Sequence, residues 1–132
     1  MSSPSSAKQE SPMDDPIRFI THKGKQILLV DCTNCSPEEL EKISRLVPSY
    51  VTAEPRGSVL LLADFTGAKF DRRIMEVIEP GLVFDRPYIK RSAWVGTETL
   101  PKVFYEHMKV FSQRDLPTFK TREEALDWLV EE

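Results

Sequence analysis

Two hydrophobic periods alternate along this chain, and each change of period marks a change of element. From Ile17 to His22, apolar and polar positions alternate, with Ile20 out of step, which predicts a half-buried strand. Lys23-Gly24-Lys25 supplies a turn, because Gly24 tolerates positive φ. Gln26 to Asp31 is a second strand, and the two form an antiparallel hairpin. Ser36-Pro37-Glu38-Glu39 then starts a helix, with Ser36 as N-cap, Pro37 in the first helical position and Glu39 closing a capping box. Its apolar stripe is Leu40, Ile43, Leu46/Val47 and Tyr50, and Pro48 is expected to kink or end it. Glu38–Lys42 and Glu41–Arg45 are helix-stabilising pairs at i,i+4.

Val59 to Ala63 is the longest apolar run, bordered by Pro55 and Gly57 before it and by Asp64 and Gly67 after it. A run that short, with such borders, reads as a strand buried on both faces. A helix follows from about Asp71 with Ile74, Val77, Ile78 and Leu82 as its stripe, interrupted at Pro80-Gly81. Tyr88 to Val95 is a fourth strand, and Gly96 and Thr97 lead out of it. Leu100, Val103, Phe104, His107, Met108 and Phe111 recur at helical spacing. Pro117 to Phe119 is a short strand, and Thr121-Arg122-Glu123-Glu124 caps a last helix that packs Ala125, Trp128 and Leu129. The order ββαβαβαβα predicts an α/β fold with a mixed, mainly parallel sheet of about five strands. No internal repeat stands out.

Composition narrows the class. Residues 1–16 hold five serines and three prolines and almost nothing apolar, so they are expected to be a flexible tail before one domain over 17–132. The chain is 40% hydrophobic and 30% charged, enough for a real core. A net charge of −3 argues against general nucleic-acid binding. Residues 67–120 nevertheless carry ten Lys and Arg against seven Asp and Glu, which leaves room for an anionic ligand. Without an apolar leader or a membrane-length run, a cytoplasmic, non-transmembrane protein is expected.

Asp31 followed by an acidic helix, the stretch Gly57 to Asp71 with its Thr66-Gly67-Ala68-Lys69-Phe70-Asp71, the stretch Arg86 to Gly96, and Thr121-Arg122-Glu123-Glu124-Ala125-Leu126-Asp127-Trp128-Leu129 occur in that order. Together they resemble the SpoIIAA-like family of small bacterial proteins. That family is grouped with STAS domains (sulphate transporter and anti-sigma-factor antagonist) and, by fold, with CRAL-TRIO lipid carriers. The resemblance covers roughly residues 17–130 and implies a STAS-like fold. Anti-sigma-factor antagonists carry a phosphorylatable serine at the helix after the central strand, in an Asp-Ser-x-Gly setting. Here the comparable place reads Phe70-Asp71-Arg72-Arg73, and Arg72 stands where the hydroxyl is expected. That departure argues against a phospho-switch of the same type, although Thr66 offers a hydroxyl in the nearby loop.

The candidate chemistry is sparse. Cys32-Thr33-Asn34-Cys35 is a CxxC between a strand and a helix, the spacing of redox pairs. Both thiols precede the helix that begins at Ser36-Pro37, so two plain loop cysteines are the favoured reading, and no second CxxC or local His completes a zinc set. His22 adjoins a turn and is expected to be solvated, and His107 is expected at the edge of the core. No catalytic triad, phosphate-binding loop or dinucleotide fingerprint is present. The better candidate is a binding loop made of Asp64, Thr66, Gly67, Arg72 and Arg73, joined by Gly96 and Thr97 and by the Cys32–Ser36 loop at the same sheet edge. Its plainer alternative has the two arginines in solvent or paired with Glu76 and Glu79. These readings point to a non-enzymatic interaction module for a protein partner or a second copy, without cofactor or metal. A carrier for a small anionic or lipid ligand, with an apolar cavity lined by Phe104, Met108 and Phe111, is the second reading.

Overall fold

The computed structural model describes residues 15–113 and 116–131, except the side chains of residues 111 and 112. Residues 1–14 of the tail expected over 1–16, and the expected role of the Phe111 side chain, lie outside the described residues. Five strands form one mixed sheet in the order β1-β2-β3-β4-β5: β1 (Ile17–His22), β2 (Lys25–Asp31), β3 (Val59–Asp64), β4 (Ile89–Val95) and β5 (Thr118–Phe119). Four helices connect or follow them: α1 (Pro37–Val51), α2 (Arg72–Asp85), α3 (Lys102–Ser112) and α4 (Arg122–Leu129). Only β1 runs antiparallel, paired to β2 through a turn in which Lys23 and Gly24 both have positive φ, 52° and 81°. That pattern matches the twist of the flanking strands.

Strict sequential order decides the layers. β3 is central, and every residue of it is buried. Val59, Leu61 and Ala63 face one side, with Leu28, Val30 and Trp94, under α1, α2 and α3. Leu60 and Leu62 face the other, with Ile27, Leu29, Ala93 and Val95, where Ala125 and Leu129 of α4 cover them. The side-chain period of two in a strand thus feeds both cores from one five-residue run.

The three capped helix starts form as their sequences require. Ser36 accepts from Glu39 N while Ser36 N donates to Glu39 Oε1, at 3.2 and 2.9 Å. Asp71 accepts from Ile74 N at 2.8 Å, and Thr121 from Glu124 N at 3.1 Å. Two helix boundaries differ from expectation. α1 continues through Pro48 to Val51, and Thr52 caps it with both its amide and its hydroxyl on Pro48 O. α2 continues through Pro80-Gly81 to Asp85, since Pro80 and Glu76 are exposed and water can take the freed carbonyl. A 3-10 turn over Arg86–Tyr88 delays β4 to Ile89.

The buried face of α3 keeps Phe104 and Met108 of the expected stripe, with Tyr105 as its other edge, and Leu100 is buried from the 3-10 turn Thr97–Thr99 before the helix. Val103 and Val110 consequently point outward, 83% and 78% exposed. His107 is exposed too, with Nε2 against the Glu79 carboxylate of α2.

Candidate functional site

The C-terminal ends of β2 and β3 stop in the same way. Asp31 and Asp64 are register partners on adjacent parallel strands. Asp31 Oδ1 accepts from Thr33 N at 3.1 Å and Thr33 Oγ1 at 2.7 Å. Asp64 Oδ1 accepts from Thr66 N at 3.0 Å and Thr66 Oγ1 at 2.6 Å. The next residue is left-handed in both, Asn34 at φ 58° and Gly67 at φ 70°. The turn then closes by Cys35 N to Cys32 O at 3.2 Å, and by Ala68 N to Phe65 O at 2.9 Å. Asp31-Cys32-Thr33-Asn34-Cys35 and Asp64-Phe65-Thr66-Gly67-Ala68 are therefore one structural device used twice, a short local repeat at two adjacent strand ends. The signal for it is Asp-x-Thr followed by Asn or Gly at a strand end, where a short side chain can bond its own backbone and the next residue can accept positive φ.

The loops are joined edge to edge. Cys32 N donates to Asp64 O (2.8 Å), Asn34 N to Thr66 O (2.7 Å), Phe65 N to Val95 O (2.8 Å) and Lys69 N to Cys35 O (2.9 Å). Gly96, at φ 70°, presses its backbone against Thr66, and Gly67 lies against the Asn34 side chain. The loops after β2, β3 and β4 thus make one surface. Thr33, Asn34, Thr66, Gly67, Lys69, Arg72 and Glu98 are exposed on it, while Gly96 is buried and Thr97 half-buried.

A residue absent from the sequence-based site holds this surface from behind. Arg122, the first residue of α4, donates through Nε to Asp64 Oδ2 at 2.6 Å and lies with Nη2 3.0 Å from Asp31 Oδ1. Asp64 is only 5% exposed, so its charge is balanced by this guanidinium and by Thr66. Burial acts to raise the Asp31 carboxyl, but the Thr33 hydrogen bonds and Arg122 outweigh it and hold it below the ordinary range. Burial likewise acts to lower Arg122, yet the two aspartates raise its pKa on balance. Arg122 was hard to find because it lies 58 residues from Asp64. Its one local sign is an arginine in a helix's first turn, where the dipole is unfavourable unless carboxylates face it.

The two arginines of the expected site separate. Arg73 reaches across to Glu41 of α1 at 2.7 Å, and Glu41 also takes Arg45 at 2.7 Å. Those two arginines hold the Glu41 carboxyl below its ordinary range. The pairing with Glu76 and Glu79 that the plainer alternative allowed is absent among the described residues, where Glu79 faces His107. Arg72 is exposed and makes no ion pair among the described residues. The cysteines lie in the loop after β2, as expected, but their side chains are buried: Cys32 and Cys35 are 3% and 9% exposed, within the core cluster under α1. His22 is half-buried, with Nε2 2.8 Å from Asp127 Oδ1. The His22 and Lys23 side chains hold the Asp127 carboxyl below its ordinary range.

Between α1, α2 and the sheet lies an apolar cavity of about 80 Å³. Ile43, Val47, Leu61, Phe65, Ile78 and Trp94 line it, with Ser44 and the buried Asp85 as polar neighbours. Phe104 and Met108 are not among its walls; they pack in the core beneath α3. No described helix is long and apolar enough to cross a membrane.

Neither a protein-family model nor a curated protein matches the sequence. The structure is similar to that of a DUF3478-family protein of Shewanella loihica with a SpoIIAA-like fold. The TM-score is 0.66 at 18% identity, over 86% of this chain and 91% of that one. The mixed five-stranded α/β architecture is therefore a SpoIIAA-like, STAS-like fold, as the sequence strings implied.

Proposed function

We propose that this chain is a non-enzymatic STAS-like interaction module that binds a protein partner, or a second copy of itself, through the three-loop surface and the first turn of α2. The observation that supports it most is the cross-loop bonding. Three loops that could each fray are tied by backbone hydrogen bonds and anchored to α4 through Arg122. A surface already ordered before binding loses little entropy on association. Its exposed groups are hydroxyls, an amide, Lys69, Arg72 and Glu98, suited to hydrogen bonding and, with two cations against one carboxylate, to a partner with acidic groups. The Thr66 hydroxyl is committed to Asp64, and both histidines have carboxylate neighbours on other elements.

The carrier reading rests on the apolar cavity. A cavity of about 150 Å³ is what accommodates one benzene ring, and drug-sized ligands take about 300–1,000 Å³. At about 80 Å³ this one is too small for a lipid chain unless α1 and α2 part, so it ranks second.

Photo-crosslinking separates the surfaces. A photoreactive phenylalanine analogue at Lys69, on the loop surface, is expected to yield one discrete adduct in a lysate of the source cells. The same probe at Lys90, at the opposite end of the sheet, is expected to yield none. Adding Arg72→Glu to the Lys69 variant is expected to remove at least about nine-tenths of the adduct, a loss of roughly 1.4 kcal/mol or more. Equal adducts from both positions, or none from Lys69, would overturn the proposal. An adduct of twice the chain mass identifies a second copy as the partner.

A further inference from the structure

The Cys32–Cys35 pair is built unlike two incidental core cysteines. Cys35 N donates to Cys32 O, so the two residues are the ends of a four-residue turn. Such a turn holds its end Cα atoms within about 7 Å, and a disulfide spans Cα separations of about 4.4–6.8 Å. Asn34 already sits in the left-handed conformation that lets so short a turn close. Interaction with the Cys35 sulfur, together with burial and the Asp31 and Asp64 carboxylates, pushes the Cys32 thiol well above its ordinary pKa. Interaction with Cys32 lowers the pKa of Cys35 against the opposing pull of burial, Glu39 and Asp31. The pair thus has the asymmetry of a nucleophilic thiol and a resolving thiol. Their position before the helix, which weighed against redox chemistry in the sequence, still leaves them at the two ends of one closed turn.

We propose that Cys32 and Cys35 form a reversible thiol–disulfide site oxidised by hydrogen peroxide. The Cys35 thiolate attacks one peroxide oxygen; an S–O bond forms, the O–O bond breaks, and the departing oxygen leaves as water after taking a proton. The Cys32 sulfur then attacks the Cys35 sulfur. The S–S bond forms, the S–O bond breaks, and a second water carries away the Cys32 proton. Two thiols lose two electrons and one peroxide gains them. Burial sets the size of the oxidant: hydrogen peroxide can reach a sulfur that a protein disulfide cannot. The disulfide locks the turn whose Asn34 N bonds Thr66 O, so oxidation is felt in the loop surface. The chemistry stands whether or not that surface binds a partner.

The test uses the full chain, reduced and then exposed to hydrogen peroxide. Both thiols are expected to disappear together, with a mass decrease of about 2 Da for the two hydrogens lost, and dithiothreitol is expected to restore both. Cys32→Ser is expected to accumulate a sulfenic acid on Cys35 that dimedone traps. On the unaltered chain, which needs no substitution to fold, iodoacetamide is expected to label Cys35 at least about tenfold faster than Cys32. The proposal is overturned if both thiols survive peroxide that oxidises a free dithiol control. Disulfide-linked dimers as the main product, or equal labelling of the two cysteines, overturn it as well.

Discussion

Arg122→Met is expected to lower the unfolding free energy by about 2–4 kcal/mol, somewhat under the 3–5 kcal/mol typical of breaking a buried pair because the arginine is partly solvated. The methionine keeps much of the apolar stem, so the loss reports the charge. Asp64, 5% exposed, would keep only its Thr66 donors, and Asp31 its Thr33 donors. In a domain of this size the melting temperature should drop by about 3–5 °C per kcal/mol. Arg122→Lys should recover less than half, because a point charge cannot bridge two carboxylates as a planar fork does. The pH dependence carries the same signature. Asp31 has a folded-state pKa below its unfolded one, so its contribution is complete above the ordinary aspartate value of about 3.9. It is lost as the pH falls through the depressed folded value. Without Arg122 part of that depression disappears, so urea midpoints of wild type and variant should converge as the pH is taken from 7 toward about 3. A variant as stable as wild type at neutral pH would mean that Arg122 anchors nothing.

Gly96→Ala is expected to cost about 2–5 kcal/mol, the sum of roughly 1–2 kcal/mol for a left-handed alanine and 1–3 kcal/mol for forced repacking. A Cβ at Gly96 would stand 2.5 Å from Thr66 N and 2.6 Å from Thr66 Cα. Those are backbone atoms held by Asp64, so they cannot yield without opening the turn. Gly67→Ala provides the contrast at the same φ of 70°. Its Cβ would meet Asn34 Oδ1, the end of a side chain that can rotate away. It should cost about 1–2 kcal/mol, close to the conformational strain alone. Chemical denaturation of the two variants side by side checks the ordering. Equal losses would show that the loops are not packed backbone to backbone at Gly96.

The elements were legible because their periods are strong. Ser36, Asp71 and Thr121 mark the helix starts, and Val59–Ala63 marks a strand fed by two cores. Prolines were less informative about where helices end. Pro48 and Pro80 each remove a donor, but the outcome depends on whether the freed carbonyl finds another partner, which local sequence does not record. On α3, Phe104 and Met108 face the core as their spacing from Leu100 implies, while Val103 and His107 do not, because the other edge of the buried face is Tyr105. The site divides in the same way. Asp64, Thr66, Gly67 and Gly96 announce themselves as turn chemistry at strand ends, and the fold brings them together. Arg122 and the role of Asp31 depend on which strands become neighbours, and Arg73 on which helix faces α2. Such long-range partners follow from topology and not from spacing.

Hydrogen exchange at single amides tests most directly whether the loops after β2, β3 and β4 form one ordered unit. The amides of Asn34, Phe65 and Lys69 lie in loops, yet each donates to a carbonyl of the neighbouring loop or strand. In the free, reduced protein they are expected to exchange within about tenfold of the slowest amides of β3, a difference of roughly 1.4 kcal/mol in opening free energy. Exchange at these three positions more than about a thousandfold faster than in β3, as in ordinary surface loops, would contradict the account.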